Sequence, residues 1–445
     1  MSSSIRAFKI GLYNEHLEEA SFLYEQRRTL LQDPEISWTQ LRDFEARLEA
    51  HLDALIVGSA LALEICRERL ATDDAGELFA VVCVICRQQQ ASMLNELWRC
   101  LDFANGQKVR AVTDALKFEI PESWAAFCER AITQGAQTVL PILAEVCGYR
   151  RIPMGEPIAS ALLARPEHGF SRAVWALSRM DESELTFKAL EAGLENPHTN
   201  VRAASVLGLM RKDRPVAVQA CQHWAAAESW PQLYLALSGV KSTAGALRAQ
   251  IEAGQTTRAT LEAVGILGDF SAVRFLCRYL DDEALAEPAA QALHWITGAP
   301  LYEEAFIEDP IHEDELFDAE KRALTEKGQK PVRANGKPFG TTVTRLSQNS
   351  AEWDAWLAGH AREFDARLRY RFGRPHSPRA VLRGLLDERI PNASRQWCYE
   401  ELAIRYACPV TFEADWRVDD QIRALRAMDG WARANEERLG AGEWR

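Results

Sequence analysis

The sequence has no apolar run long enough to cross a membrane. Its longest apolar stretches, at 55–63 and 78–86, are far shorter than the roughly 18–20 residues that a membrane-spanning helix needs. The first residues, Met1 to Arg6, also lack the apolar core of a signal peptide. We therefore expect a cytoplasmic protein without a membrane partner.

The chain also has no excess of positive charge. It contains 52 Lys and Arg against 64 Asp and Glu, which gives a formal net charge of −12 at pH 7. Contacts of Lys and Arg with phosphate supply most of the affinity of proteins for nucleic acids. A local basic patch is compatible with this balance, but broad binding to DNA or RNA is disfavoured. No nucleic-acid partner is predicted.

Cysteine is too sparse for a disulfide framework, with ten residues in 445. Most cysteines lie in apolar stretches, which predicts buried free thiols in a reducing compartment. Cys83 and Cys86 have the CxxC spacing of redox and zinc sites, but they lie inside the apolar stretch 79–86 and no second CxxC follows. Core packing is the favoured interpretation, and no metal or cofactor is predicted.

The familiar catalytic motifs are absent from the sequence. The nine histidines form no HExxH pair, and no GxSxG elbow, phosphate-binding loop or dinucleotide-binding glycine pattern is present. The acidic stretch His312–Glu315 could hold a cation, but it lacks the alternating ligands and the glycine of a calcium loop, so a solvated loop is favoured. No catalytic residue is therefore predicted, and we do not expect an enzyme.

What the sequence does contain is a repeat. Small residues recur at equivalent places in stretches with the apolar spacing of helices. The small-residue landmarks are Gly148, Ser178, Gly208, Gly239 and Gly265, and His294 lies in a later helix in the same phase; successive positions are separated by 30, 30, 31, 26 and 29 residues. A period near 30 with helical spacing predicts an all-α fold, an α-solenoid of stacked helical hairpins. Glycine inside a helix costs about 1 kcal/mol relative to alanine, so we predict close helix contacts at these glycines.

Four segments follow from this pattern. Residues 1–50 are predicted to form an N-terminal helical cap, and residues 51–298 the repeat solenoid. Residues 299–349 form an insertion that is first acidic and then basic. In it, Asn335-Gly336 is a hairpin-turn signal that predicts a short β-ribbon at about 331–344. Residues 350–445 are predicted to be helices that continue or cap the solenoid.

The insertion also carries a testable prediction. Its high charge and its Gly and Pro content predict that residues 303–345 are mobile in the isolated protein. Limited proteolysis is expected to cut the chain there first. Full resistance of this segment would contradict the prediction.

Two parts of the sequence resemble known families. The stretch Asn200–Gly208, followed by an Asp turn and a helix start, resembles HEAT-like repeats of the PBS-lyase type. The stretches His16–Tyr24 and Arg47–Leu55 resemble the opening of an uncharacterised bacterial HEAT-repeat family encoded beside type VI secretion spike and PAAR genes. The resemblance covers nearly the whole chain. It implies a scaffold or adaptor in effector loading or delivery, and it brings no functional residues with it.

Candidate binding residues follow from the HEAT-like alignment. In such hairpins the second helix lines the concave face, and aromatic and Arg side chains are favoured interface anchors. The residues that the alignment places on these helices are Trp175, Arg179, Arg202, Tyr234, His294 and Trp295. The alternative is that each Trp fills the space between helix layers.

Three functions remain open from the sequence. The first is an adaptor that binds an effector, a PAAR protein or a spike component. The second is a DNA glycosylase on HEAT-like hairpins, for which Trp353, Asp354 and Trp356 could form an aromatic and acidic cluster. The third is an immunity protein whose acidic surface neutralises a toxin. A mixed or apolar groove favours the first, a basic groove the second and an acidic groove the third; no oligomeric state is predicted.

Overall fold

The computed structural model describes residues 3–33, 36–166, 168–309, 311, 316–333, 336–436 and 441–444. Most of these residues lie in helices, which confirms the predicted, mainly helical fold class. The chain forms two compact units, Met1–Thr243 with Ser377–Arg445 and Ala244–His376. These units differ from the four-part division suggested by the sequence, which stays a prediction.

The described residues contain 23 α-helices. They are α1 Ser3–Gln32, α2 Leu41–Val57, α3 Ser59–Glu68, α4 Ala75–Arg87, α5 Ala91–Cys100, α6 Gly106–Glu119, α7 Ala125–Gln134, α8 Leu140–Arg150, α9 Gly155–Leu163, α10 Ser171–Leu177, α11 Glu184–Gly193, α12 Thr199–Arg211, α13 Pro215–Trp224, α14 Pro231–Ser238, α15 Lys241–Glu252, α16 Arg258–Leu267, α17 Val273–Leu276, α18 Ala286–Thr297, α19 Asp318–Lys327, α20 Ser350–His360, α21 Pro378–Leu386, α22 Asn392–Tyr406 and α23 Val418–Ala434. None of them is both long and apolar enough to cross a membrane.

Four strands form two small antiparallel sheets in the same part of the chain. They are β1 Tyr302–Glu308, β2 Gly340–Leu346, β3 Tyr370–Arg371 and β4 Arg374–Pro375. β1 pairs with β2, and β3 pairs with β4. Short 3-10 helices lie at Trp38–Gln40, Glu122–Trp124, Phe270–Ala272, Cys277–Tyr279 and Ala361–Glu363.

In the first unit, α4, α6, α8, α10 and α12 pack side by side in that order. Hydrogen bonds tie the C-terminal ends of neighbouring helices together. Arg150 Nη1 donates to the Phe118 carbonyl at 3.0 Å, and Arg211 Nε donates to the Ser178 carbonyl at 3.1 Å. These bonds join residues 32 and 33 positions apart. We call these five helices the inner row.

Glycines of the repeat lie where helices meet. A Cβ added at Gly148 would be 2.7 Å from Ala176 Cα, and one added at Gly265 would be 2.8 Å from Ala292 Cα. Gly208 faces the Leu190 side chain, and Cδ2 would lie 2.8 Å from its added Cβ. The predicted close contacts are therefore confirmed at these three glycines.

Gly239 has a different role from the other repeat glycines. It follows the last residue of α14 with a φ of +68°, in the left-handed region that glycine adopts without strain. The prediction that it lies inside a helix was wrong, because the αL geometry ends α14 at Ser238.

The two ends of the chain share one core in the first unit. Trp38 before α2 and Leu41 at its start pack in a single cluster with Leu385, Tyr399 and Phe412 near the C-terminus. α22 also packs against α12 and α14. The C-terminal helices therefore close the first unit by joining the later helices of the inner row to its N-terminal helices.

The second unit is built on α16 and α18. Two buried arginines cap the C-terminal end of α16. Arg369, just before β3, donates from Nε to the Leu267 carbonyl at 2.5 Å, and Arg371, in β3, donates from Nη2 to the Ile266 carbonyl at 2.8 Å. Such bonds satisfy carbonyl groups that have no partner within the helix. The chain then turns away at Gly268, which has a φ of +79°.

The β1–β2 ribbon differs from the predicted one. Its register runs from Tyr302 opposite Leu346 to Glu308 opposite Gly340, so β2 pairs with the acidic stretch rather than within 331–344. Close to the predicted turn, the described residues form an isolated bridge between Val332 and Pro338, and the Arg333 amide donates to the Lys337 carbonyl at 2.8 Å. β2 is paired along its whole length with β1, where Ala305 lies opposite the buried Val343. Asn335 lies outside the described residues, and the predicted mobility of this segment stays a prediction.

All ten cysteines are free, and nine of them are buried. Cys100 is the exposed one. Cys83 and Cys86 lie fully buried inside α4, where burial raises the pKa of both thiols. This confirms that the CxxC spacing reflects core packing.

Candidate functional site

At or next to the C-terminal end of each helix of the inner row lies a basic side chain that is paired with a carboxylate. We call these five side chains the basic row: Arg87, Lys117, Arg151, Arg179 and Arg211. Because the helices pack with their C-terminal ends together, the five cations follow one another across the unit. Their partners come partly from the row itself and partly from the C-terminal end of the chain.

The most deeply buried partners are Glu400 on α22 and Glu413 after it. Arg179 contacts both carboxylates, with its Nε 3.1 Å from a Glu413 oxygen. Arg211 Nη1 lies 2.7 Å from Glu400, and Arg151 Nη2 lies 2.8 Å from Glu413. Burial alone would raise the pKa of Glu400, but Arg179 and Arg211 outweigh it and lower that pKa to about 2. Both carboxylates are therefore held ionised inside the protein.

The segment 408–417, which we call the strap, lies against the basic row. Arg27 of α1 donates to the Asp415 carbonyl at 2.9 Å, and the Ala414 amide donates to the Gln396 side chain at 2.9 Å. These bonds satisfy backbone groups of a segment that has no regular secondary structure. Side chains from both ends of the chain thus fix the strap in place.

A cavity of about 590 Å³ lies between the inner row, α1, α22 and the strap. Its lining has equal numbers of acidic and basic side chains. The basic ones are Arg28, Arg110, Lys117, Arg172 and Arg179, and the acidic ones are Asp114, Glu145, Glu400, Glu413 and Asp415. Tyr149, Trp175 and Trp397 add aromatic surface. The cavity is therefore of mixed charge, and we call it the inner cavity.

Two residues of the inner cavity lining, Tyr149 and Asp415, carry polar groups in unfavourable surroundings. Tyr149 is only 4% exposed, and its hydroxyl has no hydrogen-bond partner. Burial raises the pKa of the Asp415 carboxyl, which Lys117 opposes and the like charge of Glu413 reinforces. Lys117 itself is already paired with Glu145 at 2.6 Å. Tyr149 and Asp415 thus both line the inner cavity, although the phenolic oxygen itself is buried in its wall.

Three of the six predicted binding residues lie in or beside this site. Trp175 and Arg179 line the inner cavity, and the Arg179 Cζ atom lies 4.3 Å from the centre of a Trp175 ring. Tyr234 lies edge-on to Trp397, with ring centres 5.7 Å apart. The structure therefore brings this half of the predicted set together.

Arg202 is also in the first unit, but its side chain is used within the fold. Its Nη1 donates to the carbonyl of Asn196 at 2.8 Å, and its Nη2 contacts Glu228 at 2.5 Å. Its guanidinium lies over the Trp224 ring. Arg202 thus connects the turn before α12 with the residues after α13.

His294 and Trp295 lie in α18 of the second unit. His294 Nδ1 is 3.0 Å from the Ala299 carbonyl, and both residues are buried. Arg371 lies over the Trp295 ring, with its Cζ 5.1 Å from the ring centre. Trp295 therefore fills space in the core, as the alternative interpretation of the tryptophans expects; binding by the six residues stays a prediction.

The aromatic and acidic cluster considered for a glycosylase does not form. Trp353 is fully buried and donates to the Ser347 carbonyl at 2.7 Å, whereas the neighbouring Asp354 is exposed. Trp356 stacks on His360. Within the described part of the chain no group of three His, Cys, Asp or Glu side chains could hold a metal ion. The stretch His312–Glu315 lies outside the described residues.

Sequence reasoning missed Tyr149, Glu400, Glu413 and Asp415. The basic row did have a signal in the sequence, because Arg151 and Arg211 each follow a landmark glycine by three positions. The carboxylates had no such signal, since Glu413 lies 262 and 234 positions from the arginines it contacts.

A second candidate surface is the β1–β2 ribbon of the second unit. Ile307 and Phe339 are 46% and 44% exposed. The Asp309 amide donates to the Phe339 carbonyl at 3.1 Å, which continues the register of the ribbon and places Ile307 and Phe339 on one face. Val343 lies on the same face and is buried at the base of the ribbon. Val343, Ile307 and Phe339, with the exposed Thr341 among them on the same face, thus form a mainly apolar stripe that leads outward from the core.

No protein-family model and no curated protein matches the chain.

Proposed function

We propose that the chain is a non-enzymatic scaffold that binds another protein, and that the β1–β2 ribbon is its docking surface. The observation that carries the proposal is the apolar stripe on a two-stranded ribbon. A ribbon of two strands is only marginally stable in water on its own, and it is stabilised by packing on a helix, as β2 packs on α18 here, or by further strands. A partner that supplies the missing surface would complete it.

The geometry of the ribbon fits addition of a strand. Within the described residues, β1 and β2 each pair only with the other, so each has one edge without a ladder partner. Open edges recruit extended segments of other chains by backbone hydrogen bonds, while alternate side chains supply specificity. Here Ile307 and Phe339 would favour a partner strand that carries apolar side chains.

The inner cavity supports a scaffold more than the two alternatives. A glycosylase of this type needs a basic concave face, and an immunity protein of the kind considered needs an acidic one. The lining has five basic and five acidic side chains, and its most buried members neutralise one another. A mixed surface of this kind is the one expected for an adaptor.

The finer architecture and the biological setting are also part of the proposal. Contacts between residues 32 and 33 positions apart at the ends of the inner row support a solenoid of HEAT-like hairpins in the first unit. The resemblance of the N-terminal stretches supports a cytoplasmic role in type VI secretion. The proposed partner is an effector, a PAAR protein or a spike component.

Affinity capture tests the docking surface. Tagged full-length protein is expressed in its native cytosol with the neighbouring genes, and bound chains are quantified by mass spectrometry. The wild type is expected to recover a secretion component in stable ratio. A variant carrying Ile307→Lys and Phe339→Ser is expected to lose it, because a charge and a hydroxyl replace the apolar stripe.

The matched control is Phe8→Ser, which removes an apolar side chain of α1 that is also exposed. This variant is expected to retain the partner. Equal recovery with the ribbon variant would contradict the assignment of the surface, and a partnerless wild-type monomer would contradict the adaptor function itself.

A further inference from the structure

A second cavity of about 490 Å³ lies in the first unit, between the C-terminal ends of α6 and α8, the strap and the first turns of α23. We call it the basic cavity. Its charged lining residues are Lys117, Arg150, Arg151, Arg417, Asp420 and Arg423. Five of these six side chains are basic, in a protein whose formal net charge is −12. Unlike the inner cavity, the basic cavity therefore concentrates charge of one sign.

The carboxylates that neutralise two of these cations face a different space. Lys117 pairs with Glu145 at 2.6 Å. Arg151 pairs with Glu413 at 2.8 Å. Both carboxylates line the inner cavity, and neither lines the basic cavity. In the described lining, Asp420 is the one acidic side chain. The wall of the basic cavity is therefore cationic, and an anion that enters it would meet little repulsion.

Two arginines of the lining have accessible donors to offer a ligand. The Arg150 side chain is exposed, and within the described residues its one hydrogen bond runs from Nη1 to the Phe118 carbonyl at 3.0 Å. The Arg423 side chain is 73% exposed and uses Nη2 to contact Asp420. A guanidinium group has five N–H donors, in a fork that matches the oxygens of a phosphate group. Most of the donors of Arg150 and Arg423 thus remain for an oxyanion.

Three aromatic rings provide an apolar surface beside these arginines. Tyr149 lies edge-on to Phe118, with ring centres 6.2 Å apart, and edge-on to Trp416 at 6.4 Å. All three residues line the basic cavity; Phe118 and Trp416 are partly exposed, whereas Tyr149 is buried. Arg417 lies over the Phe118 ring, with its Cζ 5.4 Å from the ring centre. The basic cavity therefore combines guanidinium groups with accessible aromatic surface.

We propose that the basic cavity binds a small phosphate monoester of an aromatic group. Arg150 from α8 and Arg423 from α23 contact the phosphate, and the aromatic group packs on Phe118 and Trp416. A phosphate monoester carries a charge of about −1.5 to −2 at pH 7, which suits a lining of five cations and one carboxylate. The volume of about 490 Å³ lies within the usual range of small-ligand sites. The inference does not depend on the proposed function, because the ribbon belongs to the other unit.

The test compares three probes on the full-length protein: naphthyl phosphate, inorganic phosphate and naphthol. Binding is measured by isothermal titration calorimetry. Naphthyl phosphate is expected to bind at least about tenfold more tightly than either of the other two, because only this probe uses both the guanidinium groups and the aromatic surface. No binding of naphthyl phosphate would overturn the proposal. Equal affinity for inorganic phosphate or for naphthol would overturn it as well.

Variants separate a ligand contact from a structural role. Arg150→Gln and Arg423→Gln are each expected to weaken binding of naphthyl phosphate about tenfold, the effect of one lost charge-assisted hydrogen bond. Because Arg423 is mostly exposed, its variant is also expected to keep the thermal midpoint of the wild type. The matched control is Arg130→Gln, an exposed arginine of α7 outside the lining, which is expected to leave the affinity unchanged. Unaltered affinity of either cavity variant, or an equal loss in the control, would overturn the assignment.

Discussion

Replacing Arg179 with leucine is expected to destabilise the first unit by about 3–5 kcal/mol, the usual cost of breaking a buried ion pair from one side. Arg179 is buried and contacts both Glu400 and Glu413. Without it, Glu400 and Glu413 remain buried, and only Arg211 and Arg151 are left to compensate their negative charges. Denaturation by urea at pH 7, followed by circular dichroism and tryptophan fluorescence, measures the loss.

The control is Arg6→Leu, which breaks an ion pair with Glu64 whose side chains are 48% and 51% exposed. It is expected to change stability by at most about 1 kcal/mol. Combining Arg179→Leu with Glu413→Gln is expected to recover part of the loss, since one of the stranded charges is removed. Equal stability of the Arg179 and Arg6 variants would show that the buried network does not stabilise the unit.

Acid titration provides a second readout of the same network. The folded-state pKa of Glu400 is lowered to about 2, below the unfolded-state value of about 4.3. The ionised Glu400 therefore contributes fully to the free energy of unfolding above about pH 4.3, and this contribution is lost as the pH falls through 2. In the Arg179→Leu variant the folded-state pKa moves upward toward the unfolded value. The variant is therefore expected to show a smaller gain in stability between pH 2 and pH 5 than the wild type.

The helical part of the fold could be predicted because its signals are local. Apolar spacing shows where helices run, and a glycine inside a helix marks a close contact, as Gly148 and Gly265 confirm. Gly239 ends a helix instead, and the sequence alone does not distinguish a glycine that ends a helix from one that packs inside it. Only the backbone conformation distinguishes the two.

The closure of the first unit could not be predicted, because its contacts are far apart in the sequence. Arg27 donates to the carbonyl of Asp415 across 388 positions, and Glu45 accepts from the Val418 amide across 373 positions. No local pattern in the strap distinguishes it from an exposed loop. Trp175 and Arg179 were found because helix phase places them on the inner face, whereas the carboxyl of Asp415 reaches the same cavity from the strap.

Gly148→Val is expected to destabilise the first unit by about 3 kcal/mol, through overpacking at the contact of α8 with α10. The added Cβ would lie 2.7 Å from Ala176 Cα, and a backbone atom cannot rotate away. Gly208→Val is also expected to destabilise the protein, but by less, since its nearest neighbour is the end of the Leu190 side chain. Urea denaturation of the wild type and of the two variants ranks their free energies of unfolding.

The matched control for this series is Gly11→Ala. Gly11 lies within α1, and no heavy atom lies within 4 Å of an added Cβ. Alanine there is expected to stabilise the protein by about 0.5–1 kcal/mol, because it restricts the unfolded chain and favours the helix. Changes of opposite sign in the free energy of unfolding for Gly11→Ala and Gly148→Val would show that packing, rather than helix propensity, selects glycine in the inner row. If the unfolding midpoint of the Gly148 variant equals that of the wild type, then α8 and α10 can separate without cost, and the packing argument for the repeat glycines fails.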